Sequence, residues 1–253
     1  MKLQTIICMK WGTRYNYNYV NNLYESIKKH TEKKTQLICF TDDKRKISKN
    51  VICKPLPKIN IPKKISQTPW RKLSIWQYPL NNIKGDVLFL DLDLVITNNI
   101  DKLFTYKPGT FCVIENWTQV GKGIGNTSCF RLPVKKYKFI FEEFEKKPLY
   151  YLNKFHIEQV YISKLIPEQN FWPVNWCKSF KHNLLPKWPM RIWKPAELPR
   201  DTSIVAFTGK PDPEDVLREK WPIPKNKFFK KIYKQVRRPE WLTENWKINL
   251  KDL

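Results

Sequence analysis

Acidic side chains are scarce in this chain. Its 253 residues hold 23 aspartates and glutamates against 47 lysines and arginines, a formal net charge of +24 and a pI near 9.8. That imbalance favours polyanionic partners, whether phosphorylated ligands, acidic membrane surfaces or nucleic acid, and does not by itself choose among them. Histidine is scarcer still. His30, His156 and His182 are the only three, none stands at metal-ligand spacing, and His30 reads as a helix cap. The six cysteines (Cys8, Cys39, Cys53, Cys112, Cys129, Cys177) include no close pair of metal-binding type, and several sit inside apolar strand-like runs, as reduced core thiols do. Long hydrophobic runs are missing too: MKLQTIICMKW at the start is too short and too interrupted for a signal peptide or a membrane span. The expected location is therefore cytoplasmic. There is no internal repeat. What remains is a globular chain, 42% apolar, long enough to bury a large core as one main domain.

The apolar runs fall in an alternating order. Leu3 to Met9 predicts a first strand, and Tyr19 to His30 a helix with Val20, Leu23, Tyr24 and Ile27 on one face. TQLICFT (Thr35 to Thr41) is a second strand ending in Asp42 and Asp43. The stretch from there to Pro69 is rich in proline and lysine and reads as irregular. Trp70 to Tyr78 suits a helix starting just after Pro69, and VLFL (Val87 to Leu90) is a strand buried on both faces. Strand, helix, strand, helix, strand argues for an α/β chain with a mostly parallel central sheet and right-handed crossovers. Such sheets bind ligands at the carboxyl ends of their strands, where Met9 to Gly12, Asp42–Asp43 and Asp91–Asp93 all fall. Further on come a strand in FCVIENW, a loop GKGIGNTSCFRL, helices near Lys138 to Lys146 and Ile157 to Leu165, a tryptophan- and proline-rich tract (Phe171 to Pro199), and a strand in SIVAFTGKP.

Asp91 and Asp93 carry the most chemistry. Alternate residues of a strand point the same way, so both acids can face one side with Leu92 packed behind. Neighbouring buried carboxylates repel and are costly to desolvate, a cost that a hard divalent cation shared with a phosphate offsets. The plainer alternative is a strand end whose acids cap the next element.

The ordered set CMKWGTRY, ICFTDD, PWRKLS, LFLDLDLVITNNIDKLF, GNTSCFR, IEQVYIS and IVAFTGKPDP resembles bacterial glycosyltransferases of the GT-A fold and is distantly similar to the glycogenin-type retaining sugar transferases, over residues 1–220. The resemblance implies a Rossmann-like GT-A domain over 1–221, followed by a basic aromatic extension over 222–253. It also implies a nucleotide-sugar donor (a UDP-sugar), a hydroxyl acceptor on a glycan or lipid, and a divalent metal, magnesium or manganese. Asp91 and Asp93 match the metal motif. Lys10, Trp11 and Gly12 match the loop that holds the nucleoside, with Trp11 either walling the base or serving as a core aromatic. Asp43 is either a base or ribose acceptor or an ordinary turn acid. Arg71 matches a basic residue that contacts donor phosphate or the motif, and Lys72 is its neighbouring candidate. Asn126 matches the acceptor-side loop. Glu158 and Gln159 match the pair opposite the anomeric carbon, where a group stabilises oxocarbenium-like charge or attacks the sugar; for Glu158 the alternative is a polar helix face. Lys210 is placed to neutralise the departing diphosphate. The departure is Thr208, which stands where such enzymes carry a histidine as third metal ligand; an all-oxygen shell suits magnesium better than a nitrogen-preferring ion.

Two other functions compete. DLDLV also fits the nucleophile motif of haloacid-dehalogenase-type phosphatases, with Asp91 phosphorylated. There the motif closes an early strand and a later acid pair completes the site, whereas here two strands precede it and no acid pair follows at a strand end. Nucleic-acid binding would use the charge and the 14% aromatic content, but no recognisable motif accompanies them and no nucleic acid is expected. The extension carries nine basic and three acidic residues, interleaved with Phe228, Phe229, Tyr233, Trp241 and Trp246. Such a segment either rests on an anionic bilayer as a peripheral anchor or packs its rings on the catalytic domain.

Overall fold

The computed structural model describes residues 3–247. The last part of the expected extension, 248–253, lies outside the described residues, as do residues 1–2 and the side chain of Phe228. In chain order the strands are β1 (Gln4–Lys10), β2 (Thr35–Thr41), β3 (Ile52–Pro55), β4 (Asp86–Leu90), β5 (Leu94–Ile96), β6 (Cys112–Glu115), β7 (Gly125–Pro133), β8 (Asn170–Phe171), β9 (Cys177–Ser179) and β10 (Ile204–Ala206). The helices are α1 (Tyr17–Lys29), α2 (Lys102–Thr105), α3 (Phe139–Lys146), α4 (Pro148–Lys154), α5 (Glu158–Leu165), α6 (Pro213–Leu217) and α7 (Glu240–Asn245). The chain divides into two compact units, the first made of Met1–Asn21, Glu32–Leu92 and Asp101–Trp172, the second of Asn22–Thr31, Asp93–Ile100 and Pro173–Leu253. No helix among the described residues is long and apolar enough to cross a membrane.

The first unit is built on a seven-stranded sheet in the order β3-β2-β1-β4-β7-β6-β8. β1 pairs in parallel with β2 from Gln4↔Thr35 to Lys10↔Thr41, and with β4 through Thr5↔Val87 to Ile7↔Phe89. β7 runs antiparallel to both β4 and β6. Val87 to Leu90 are fully buried, as their unbroken apolar pattern requires. Aromatic rings fill the adjoining core: Phe130 stacks on Phe89 at 4.8 Å and on Trp76 at 5.6 Å, and Trp70 on Phe144 at 5.6 Å. Each such side chain contributes about 1.5–3 kcal/mol by burial.

Three elements differ from the sequence expectation. The glycine-rich segment placed in a loop contains the longest strand, β7, buried along its whole length. A strand covered on both faces shows no alternation, and Gly125 is there for close approach: a Cβ at that position would lie 2.9 Å from a Val113 methyl. The proline-rich stretch after β2 contains β3, a half-exposed edge strand that tolerates Pro55 at its end. The helix after Pro69 is a 3-10 segment (Pro69–Trp76) buried nearly all round rather than along one stripe.

A buried arginine ties the far end of β7 to its surroundings. Arg131 has no exposed surface, yet its guanidinium donates to the carbonyls of Leu103 (2.8 Å), Phe104 (3.2 Å), Lys107 and Thr110, and lies 3.7 Å from Asp86. The two terminal nitrogens of this rigid fork satisfy carbonyls in and after α2.

The second unit has a three-stranded sheet, β5-β10-β9, in which β9 and β10 run parallel and β5 runs against them. Phe180 and Phe207, just beyond β9 and β10, stack at 4.6 Å. The region expected as an extension supplies part of this unit's core: Val236, Leu242 and Trp246 are buried, and the Trp241 indole donates to the Ala196 carbonyl at 2.8 Å.

Candidate active site

In the first unit the carboxyl ends of β1, β2 and β4 lie side by side, because those strands pair in parallel. β4 stops at Leu90, so Asp91 lies in the turn beyond it and not in the strand. Its backbone N–H donates to the Ser128 carbonyl at 2.8 Å, which brings the beginning of antiparallel β7 to the same edge. The side chain of Asp91 is about one-fifth exposed (22%) and meets the ammonium of Lys72, at 3.2 Å to Oδ2 and 3.5 Å to Oδ1. Lys72 lies in the buried 3-10 segment. The same nitrogen is 3.3 Å from Glu158 Oε1 and donates to the hydroxyl and carbonyl of Thr127 at 3.0 and 3.2 Å. Thr127 in turn donates to Glu158 Oε1 at 2.6 Å. Glu158, at the start of α5, is 1% exposed, and its Oε2 meets no hydrogen-bond partner among the described residues.

This cluster is unusual in its charge: two carboxylates share one ammonium in a nearly closed site. Burial pushes the Asp91 carboxyl above its ordinary range and the neighbouring Glu158 adds to that, so Lys72 offsets the rise only in part. Burial also acts against the charge on Lys72, but Asp91 and Glu158 outweigh it and hold the ammonium above its usual value. The geometry therefore keeps Lys72 charged and fixed.

Around this centre the structure sorts the sequence candidates. Lys10 is buried at the end of β1, and Trp11 packs against the core of the first unit. Gly12 has φ +62°, and its N–H donates to Asp42 Oδ2 at 2.8 Å; a Cβ there would fall 1.9 Å from the Gln67 amide oxygen. Asp42, not Asp43, thus fixes the first loop. Asp43 is occupied by Arg45, whose guanidinium donates to both carboxylate oxygens at 2.9 and 2.8 Å, which holds the carboxyl below its usual range. Arg71 points its Nε at the Ser66 carbonyl (3.2 Å), so it is Lys72 that meets the aspartate. Asn126 caps the Ser128 N–H at 3.1 Å, and the Gln159 carbonyl accepts from the Ser163 hydroxyl at 2.7 Å.

The remaining candidates belong to the second unit. Asp93 precedes β5, and its carbonyl accepts from Phe207 N–H at 3.2 Å, one residue before Thr208. The buried Thr208 hydroxyl has no partner among the described residues. Lys210 is paired with Asp212 at 2.6 Å and Asp215 at 3.1 Å. Sequence reasoning did not single out Thr127, and it placed Asp42 at the strand-end edge without giving it a role; both adjoin residues that it did single out. No group of three or more His, Cys, Asp or Glu side chains is arranged to hold a metal among the described residues.

The mostly parallel seven-stranded sheet flanked by helices is that of the GT-A fold, as in solved glycosyltransferase structures. The galactosyltransferase LgtC, in complex with donor and acceptor sugar analogues, superposes with a TM-score of 0.58 at 13% identity, over 90% of this chain and 100% of that one. The bifunctional glycosyltransferase WbbM gives 0.58 at 13%, over 95% and 50%. GlyE of Streptococcus pneumoniae TIGR4 gives 0.54 at 16%, over 84% and 56%. This chain thus spans about half the length of the latter two. At such identities the likeness is one of fold. No family profile and no curated protein sequence matches.

Proposed function

We propose that the protein is a glycosyltransferase that moves a sugar from a nucleotide-diphosphate donor, a UDP-sugar, to a hydroxyl of a glycan or lipid-linked acceptor. The observation that carries this reading is the Lys72–Asp91–Thr127–Glu158 cluster at the strand-end edge where such a fold receives nucleotides.

Asp91 and Asp93 are the residues to hold a divalent cation. The fit is chemical: the Asp91 carboxylate is partly exposed and among the described residues takes Lys72 and the Ser128 hydroxyl, which leaves lone pairs for a hard ion. With threonine at 208 the donors are all oxygens, so substrate and water complete the shell and magnesium is the better match, with manganese second. Such an ion, when bound, neutralises diphosphate oxygens as charge develops on the leaving nucleotide.

The protein's own groups do the rest. Lys10, Trp11 and Gly12 form the nucleoside side, with Gly12 allowing close backbone approach, and Asp43 serves there only by exchanging Arg45 for the donor. Lys72 holds Asp91 in place, and Arg71 extends the positive edge towards phosphate. Asn126 orients the acceptor. Gln159 faces the reacting sugar directly, while Glu158, closed off from solvent, acts through Lys72 and Thr127. Lys210 assists departure of the diphosphate.

The test incubates the protein with a panel of nucleotide sugars and magnesium or manganese, beside a phosphatase substrate and labelled nucleic acid. Transfer or donor hydrolysis is expected in the wild type and lost in both Asp91→Asn and Asp93→Asn, with melting temperatures within a few degrees of wild type. Full activity in both variants at every metal concentration would end the metal-site reading, and turnover of the phosphatase substrate alone would favour that competing class.

A peripheral contact with anionic membrane completes the proposal. Trp188, Met190, Trp193, Phe229, Ile232 and Tyr233 are all exposed in the second unit, and the Trp188 indole donates to the Ile232 carbonyl at 3.3 Å, so the two segments form one patch. Lysines 225, 227, 230 and 231 flank it. Exposed rings set among cations suit a bilayer interface, where a lipid-linked acceptor would be presented.

A further inference from the structure

We infer that Lys181 is a phosphate-binding residue of this chain, one that grips the donor diphosphate beside Thr208 and Gly209. The inference rests on the donor reading above and adds a residue that neither the motifs nor the resemblance pointed to.

Topology brings the parts together. β9 and β10 run parallel in register (Cys177↔Ile204 to Ser179↔Ala206), so their following residues emerge at one edge of the small sheet. β5 begins at that same edge, because Leu94 pairs with Ala206. Lys181 comes two residues after β9, Thr208 two residues after β10, and Asp93 immediately before β5. The Lys181 ammonium donates to the Thr208 carbonyl at 2.9 Å and lies 3.8 Å from where a Gly209 Cβ would be.

Two features separate Lys181 from an ordinary surface lysine. Its backbone is held in a single π-type turn, Phe180–Leu184, fixed by the Ser179 hydroxyl on His182 N–H (3.3 Å), by the Asn183 amide oxygen on Ser179 N–H (2.8 Å) and by the Phe180–Phe207 stack. Such turns interrupt regular structure at a cost and are found often at functional sites. Secondly, it is half-buried with no carboxylate at ion-pair distance among the described residues, whereas Lys210 already has two. Burial, with Lys234 nearby, holds its pKa below the usual lysine value, as expected of a cation still lacking its anion. Beside it the Thr208 hydroxyl, buried and without a partner among the described residues, supplies a neutral donor, and Gly209 at φ +73° carries no side chain between that turn and the ammonium. A cation, a hydroxyl and a glycine turn make a phosphate cradle.

Calorimetric titration of the full chain with magnesium and UDP, GDP, uridine or inorganic pyrophosphate tests this. Lys181→Met should weaken diphosphate and pyrophosphate binding roughly ten- to hundredfold, the value of one charge-assisted hydrogen bond, and leave uridine binding unchanged. Lys181→Arg should restore most of the affinity. Equal affinities in wild type and Lys181→Met overturn the inference, as does parallel loss of uridine binding with a fallen melting temperature, which would mark a purely structural lysine. Pyrophosphate bound in a Lys181-dependent way without any nucleoside diphosphate would support the cradle and refute the donor reading. Binding of neither probe by the wild type would refute both.

Discussion

Replacing Lys72 by methionine tests the centre of the site. The substitution keeps the length and apolar stem but removes the charge that two carboxylates share, at 3.2 Å from Asp91 and 3.3 Å from Glu158, along with two hydrogen bonds to Thr127. Glu158 is 1% and Asp91 22% exposed, so water repairs little of the loss. Removing one partner from a buried ion pair costs about 3–5 kcal/mol, because the opposite charge stays behind uncompensated. Against a total stability of about 5–15 kcal/mol, that is a large fraction, and it corresponds to a fall of about 10 °C in melting temperature. Urea denaturation at neutral pH measures it. The double variant Lys72→Met/Asp91→Asn, with one carboxylate charge removed as well, should recover about 1–2 kcal/mol, within the usual range of coupling between touching groups. A single variant within about 1 kcal/mol of wild type, or a double variant no more stable than the single, would refute the view that this lysine holds the cluster by charge.

Arg131→Leu should be costly for a different reason, since it takes the guanidinium donor from the Leu103, Phe104 and Thr110 carbonyls and the cation from beside Asp86; a loss of about 3–5 kcal/mol is expected in the same denaturation assay. The exposed tryptophans and lysines of the second unit should bind vesicles containing anionic lipid, in a manner that fades with salt. A combined Trp188→Ser/Trp193→Ser/Lys230→Glu/Lys231→Glu variant should stay folded and remain in the supernatant on co-sedimentation, whereas binding that persists in the variant would remove the membrane contact from the proposal.

The parallel core was legible because its strands declare themselves by composition. TQLICFT reads as a strand at the observed bounds, and VLFL is buried on both faces as its unbroken run demands. β7 was illegible for the complementary reason. Two glycines just before it look like a loop, and only the approach of Val113 explains why a third, Gly125, lies in a strand. The 3-10 segment after Pro69 showed no helical stripe because six of its eight residues are buried, so no face stands out.

Charge was the least legible property. Composition counts 47 basic residues alike, yet the fold assigns them different work. Lys72 and Arg71 are neighbours in sequence, and the resemblance favoured Arg71; the winding of the 3-10 segment turns Lys72 to the aspartate and leaves Arg71 at a carbonyl. Asp42 and Asp43 divide in the same way, one clasping the Gly12 loop and the other an adjacent arginine. Adjacent residues differ in direction by about 100° on a helix and about 180° on a strand, so a motif locates a functional element more securely than it locates the functional side chain. Identifying the side chain requires knowing which neighbours are buried with it. A buried ammonium between two carboxylates and a half-buried one with none among the described residues are chemically opposite, and nothing in the letter K separates them.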